Sequence, residues 1–222
     1  MKKINWLDHI ANLLVVILGI SIAFYLEGYR EEKANRIQEQ KYIKSLTQDL
    51  ATDSAALDTL QILNRVIGNS LVRLSDGSVG KPIDADSLVT WLLSTQYNPS
   101  FTPQRTTYES LKSSGKMDLI GDFELRKRIV ELYEQYYRGT SQYDEAINQD
   151  LRDFYKPFYM KNIAFTGRNS VNEGFLTKTE FRNAVFAYRY LFIAKTDFYE
   201  TVSVELEETL SLLRKRATNQ KD

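Results

Sequence analysis

The chain has 222 residues with 29 basic and 29 acidic side chains, a formal net charge of +0, and no cysteine. Balanced charge, with the cations scattered among carboxylates, argues against nucleic acid as a partner, and the absence of cysteine excludes disulfides, thiolate zinc, iron–sulfur clusters and cysteine nucleophiles. The single histidine, His9, leaves no multi-histidine metal site or histidine triad within one chain, so neither an enzyme nor a cofactor is expected.

The first element is the charge-free run from Ile10 to Leu26. At ~1.5 Å per residue it reaches roughly 25 Å, the short end of what crosses a hydrocarbon layer of ~30 Å. Trp6 on one side and Tyr25 and Tyr29 on the other are candidate interfacial anchors. No small-x-small cleavage site follows, so the run is expected to stay attached as an anchor. A buried core helix competes with this assignment, because the run is short and holds Asn12 and Ser21. The expected organisation is a short tail over 1–9, a transmembrane helix over 10–26 and an α-helical extramembrane domain over 27–222. Within the run, Asn12, Gly19 and Ala23 are separated by seven and four and share one face. Small residues let helices approach closely in lipid and a buried amide seeks a partner, so these three form a candidate membrane helix–helix face.

The next stretch places Ile43, Leu46, Leu50, Asp53, Leu57, Leu60, Asn64, Ile67, Leu71 and Leu74 at alternating spacings of three and four. This is a heptad seam. Its polar members, Asp53 and Asn64, suit a bundle edge or fix register in a coiled coil. Nothing between the anchor and the seam breaks a helix after Gly28, so one long helix is expected, ending in the turn "SDGSVGKP" at 75–82.

A short helix is then expected after Asp84 or Asp86, carrying "SLVTWLLS". "NPSFTPQ" breaks it, and Thr102 with Pro103 reads as N-cap and first position of a helix that closes at Gly115. Asp122 caps another, whose apolar face is expected to run through Ile129, Tyr133, Tyr136, Tyr143, Ile147, Leu151, Phe154 and Phe158. The rings off that face make Tyr137, Tyr155 and Tyr159 a candidate partner or ligand surface, with core and rim packing as the plainer account. After a loop over 162–176, "TKTE" from Thr177 fits a capping box. The last helix is expected to bury Phe181, Val185, Tyr188, Phe192, Tyr199, Val202, Leu206 and Leu213. No stretch alternates with period two, so the fold class is all-α: an N-terminal transmembrane helix continuing into a long helix packed in a helical bundle.

The succession "NLLVVILGISIAF", "YLEGYREE", "EQKYIKSLTQDLATDSAALD" and "TTYESLKSSGKMDLIGDFELRKRIVELYEQYY" resembles a family of uncharacterised, small, single-span membrane proteins of Gram-negative bacteria. The chain departs from it at Asn12, where a carboxylate is usual, and at Tyr29, Arg30 and Glu31, where a Trp-Asn-Glu type exit is usual. The resemblance implies an anchored helical domain and carries no catalytic residues. Inner-membrane localisation is expected, with the N-terminus cytoplasmic and the helical domain periplasmic. The charge rule conflicts with this side assignment, since Arg30, Lys33, Arg36, Lys41 and Lys44 outnumber Lys2 and Lys3. Two functions compete. One is a membrane-anchored scaffold or interaction protein in contact with the bilayer and with another membrane protein or a second copy. The other is a ligand-sensing helical domain signalling through a partner.

Overall fold

The structure, a computed structural model, describes residues 6–162 and 173–219. Among the described residues every regular element is helical.

Helix α1, Trp6–Ser78, runs unbroken for 73 residues, about 110 Å at the α-helical rise. It begins within the stretch read as a tail. From residue 12 to 38 every side chain is exposed, and Glu39 is the first that is buried. Beyond it the seam holds: nine of its ten positions are buried and Leu60 is half-buried. Asp53 and Asn64 are inside the bundle, 1% and 2% exposed, and not at an edge. The helix stops where Gly80 takes φ +87°, a conformation open to glycine at little cost, and the Lys81 amide returns to the Asp76 carbonyl at 3.1 Å.

Helix α2, Ala85–Ser94, is capped by Asp84, whose carboxylate accepts from the Ser87 amide at 3.1 Å. Helix α3 is Thr106–Ser113, starting three residues later than the Thr102–Pro103 signal suggests. The intervening groups are engaged elsewhere: the Gln104 amide donates to Asp53 at 2.8 Å and its carbonyl accepts from the Tyr133 hydroxyl at 3.0 Å. At its far end Gly115, φ +67°, donates to Lys112, and Lys116 donates to Leu111. That pair of bonds is the Schellman termination.

Helix α4 covers 123–162. Asp122 caps it by accepting from the Leu125 amide at 3.1 Å. Two π-helical turns, Leu132–Tyr136 and Leu151–Tyr155, interrupt it. Each turn adds a residue and rotates the helix beyond it. The buried positions therefore run Ile129, Tyr133, Tyr137, then Ile147, Leu151, Tyr155 and Tyr159. The expected continuation through Tyr136, Tyr143, Phe154 and Phe158 is displaced: Tyr136, Tyr143 and Phe158 are half-buried, and Phe154 is exposed. The proposed surface of Tyr137, Tyr155 and Tyr159 is thus corrected to core, the three being 1%, 1% and 4% exposed.

Helix α5, Thr179–Asn219, runs antiparallel beside α1. Glu39 pairs with Arg216, Ser54 with Glu207 and Gln61 with Ser203, so rising numbers on one helix meet falling numbers on the other. Its first turn closes from the Arg182 amide to the Lys178 carbonyl at 3.0 Å, which puts Lys178, not Thr177, at the cap. All eight expected core residues of this helix are buried.

The core divides in two. One part gathers Ile43, Leu46, Leu50 and Leu57 with Leu111, Ile129, Tyr133, Leu206 and Leu213. The other gathers Ile67, Leu71 and Leu74 with Leu88, Leu92, Ile147, Tyr155, Phe181 and Tyr188.

Candidate functional site

Between the two apolar cores each long helix contributes buried polar side chains: Asn64 on α1, Thr140 and Asp144 on α4, and Lys195 on α5. Lys195 lies three residues after Phe192 and four before Tyr199, on the apolar stripe of its helix, and is 0% exposed. Its ammonium has three protons to place and three acceptors around it: Asp144 Oδ1 at 3.0 Å, Asn98 Oδ1 and the Pro99 carbonyl. The rings of Tyr199 and Phe192 lie 5.0 and 5.6 Å from the nitrogen, a favourable cation–π arrangement. Burial pushes the lysine pKa down, and the Asp144 carboxylate opposes it. The second oxygen of Asp144 accepts from the Tyr199 hydroxyl at 2.6 Å and the Phe101 amide at 3.3 Å. Lys195 and Asp144 are buried and each has its hydrogen-bonding groups engaged within the chain. The cluster straps the connector between α2 and α3 across the bundle.

Asp53 makes a second strap. It accepts from the Gln104 amide and, at 2.9 Å, from the Tyr137 hydroxyl. Burial raises its pKa from 3.8 to about 6, against the effect of both hydrogen bonds, and Asp49 adds to the rise. At the α2 end the Thr95 and Tyr155 hydroxyls meet at 2.6 Å.

An opening of about 320 Å³ lies beside the polar layer, in the groove between α1 and α5. Asn64 contributes to its floor, and neither amide atom of that side chain has a hydrogen-bond partner. Buried amides without partners are rare in folded proteins. Phe192, Tyr199 and Gly68 line the inner wall, and Gln61, Arg65, Asn69, Ile193, Thr196 and Glu200 stand toward the mouth.

Of the residues singled out from sequence, Asn12, Gly19 and Ala23 are exposed on one side of α1, and a Cβ at Gly19 would meet nothing within 4 Å. Tyr25 and Tyr29 are 75% and 60% exposed. The side chains of Trp6 and His9 lie outside the described residues, as does most of the loop over 162–176. Sequence reasoning passed over Lys195 and Asp144. The available signal was a cation in the register of Tyr188, Phe192 and Tyr199. Among the described residues no group of three or more His, Asp or Glu side chains is placed to hold a metal ion.

A family model described as a family of unknown function (DUF6090) matches residues 12–164, from the apolar run to the end of α4. No curated protein and no solved structure matches the chain.

Proposed function

The chain belongs to this family of unknown function, and from that premise we propose that it is a membrane-anchored helical scaffold or interaction protein of the bacterial inner membrane. One observation carries the proposal. The most apolar window of α1, mean hydropathy 1.7, is 0% buried, whereas the core helix of a soluble protein hides such a window. Large apolar side chains on every side of the helix, from Ile10 at 52% to Phe24 at 75% exposed, form a surface that water does not tolerate and lipid does. Residues 10–26 then cross the bilayer, residues 27–38 form a charged stem, and the bundle begins at Glu39. The bundle stands on the periplasmic side, as a short uncleaved signal-anchor favours.

Asn12, Gly19 and Ala23 are exposed, and nothing among the described residues covers them, which supports a second copy or another membrane protein as the partner of the span. Its role is contact and position, with no catalytic step. Native mass spectrometry from mild detergent tests the association. A defined complex that is lost when Gly19 and Ala23 are replaced by Leu is expected; a monomer without companions contradicts it. A second function, ligand binding by the bundle with output through a partner, is favoured by the opening over Asn64.

A further inference from the structure

We propose that the cleft between α1 and α5 binds a small zwitterion of the α-amino-acid class. Beneath its floor lies the Asn64 side chain, 2% exposed, with the amide donor and acceptor both unengaged. Its mouth presents Arg65 from one helix and Glu200 from the other. Neither of these charges has an ion-pair partner among the described residues, although ten other ion pairs form across the molecule. A ligand carrying one charge of each sign satisfies both walls: its carboxylate meets the Arg65 guanidinium and its ammonium meets Glu200. A side chain then rests on Phe192 and Ile193, above the Asn64 amide.

Size and charge narrow the class. About 320 Å³ is at the lower bound of small-molecule sites, which suits a single amino acid better than a peptide. A nucleotide needs several cations or a cradle of amides around its phosphates, and Arg65 is the one cation among the lining residues. Gly68 completes the fit, since the space a side chain would take there, 3.9 Å from the Phe192 ring, stays open at the inner wall. The inference is independent of membrane anchoring, because every residue it uses lies in the bundle.

The test uses the full chain in detergent micelles, titrated singly with each standard amino acid at millimolar concentration while the thermal transition and the heat of binding are followed. At least one amino acid is expected to bind saturably and raise Tm, and its N-acetyl derivative, lacking the ammonium, is expected to fail. Glu200→Gln, at an exposed position, removes the carboxylate that meets the ligand's ammonium, so it preserves the fold and weakens binding by about tenfold or more. Arg65→Gln, at an exposed position, gives a comparable loss without touching the core. If no amino acid binds, or if both variants bind as the parent does, the proposal is overturned and the cleft holds water only.

Discussion

The two halves of α1 share one unbroken helix, yet residues 12–38 bury nothing while residues 39–78 bury a side chain in nearly every turn. Both are rich in Leu, Ile and Val, but the run over 10–26 carries no charge whereas the seam over 43–74 is interleaved with charged residues such as Lys44, Asp49, Asp58, Arg65 and Arg73. Their arrangement round the circumference differs as well. Over 10–26 the apolar side chains occupy every direction, whereas over 43–74 they return at three and four residues and leave the rest of the surface polar. A stripe needs one neighbour, which α5 provides. A fully apolar cylinder needs an apolar surround, and no described element of this chain supplies one. This contrast supports lipid around the first half and protein around the second.

The contrast is broken most severely by a charge on each side of it. Leu57→Asp places a carboxylate at a position 0% exposed without a partner, at a cost above about 4 kcal/mol, comparable with the whole stability of many domains. Circular dichroism of the full chain in detergent is expected to lose its cooperative transition. The matching Ile17→Asp, in the exposed half, is expected to leave that transition in place and to impair insertion instead. If both variants unfold alike, the two halves do not answer to different surroundings.

Next in size is Asp144→Ala. It leaves the Lys195 ammonium buried with only carbonyl acceptors, and removing one member of a buried ion pair costs roughly 3–5 kcal/mol. Chemical denaturation reads the loss. A change below about 1 kcal/mol would mean that the connector is not held by this cluster.

A smaller, pH-dependent effect belongs to Asp53. Its folded pKa lies above the unfolded value, so its stabilising contribution is complete below 3.8 and is lost as pH rises through about 6. Tm of the parent is therefore expected to fall across that window relative to Asp53→Asn, whose amide cannot ionise. Parallel pH profiles would contradict the assignment.

The least demanding test concerns the span alone. Positions 17 and 19 are about 200° apart round the helix. Cysteine substituted for Gly19 is expected to crosslink in native membranes, and cysteine substituted for Ile17 is not. Equal yields would remove any role for the face of Asn12, Gly19 and Ala23.

Legibility in the sequence followed how local each signal is. The α1 seam and the α5 stripe were readable because they obey one period for many turns, and the cap at Asp122 because it depends on a residue three positions away; the start of α2 was narrowed only to Asp84 or Asp86, and Asp84 is the cap. The face of α4 beyond Tyr133 was not readable. A π turn adds one residue without changing composition, and this exchanged Phe154 and Phe158 for Tyr155 and Tyr159 in the core. The delayed start of α3 and the burial of Lys195 depend on bonds to Asp53 and Asn98, 51 and 97 residues away in the chain. No window of sequence contains both partners. Asn64 was visible as a polar member of the seam, but its opening exists only once α1 and α5 are side by side.

The separation of α1 into a lipid-facing half and a protein-facing half is tested most directly by alkaline carbonate extraction of membranes from cells producing the full chain. The full-length protein is expected to remain in the membrane pellet and to be released by detergent alone. Recovery of the full-length protein in the carbonate supernatant would contradict the anchoring of residues 10–26.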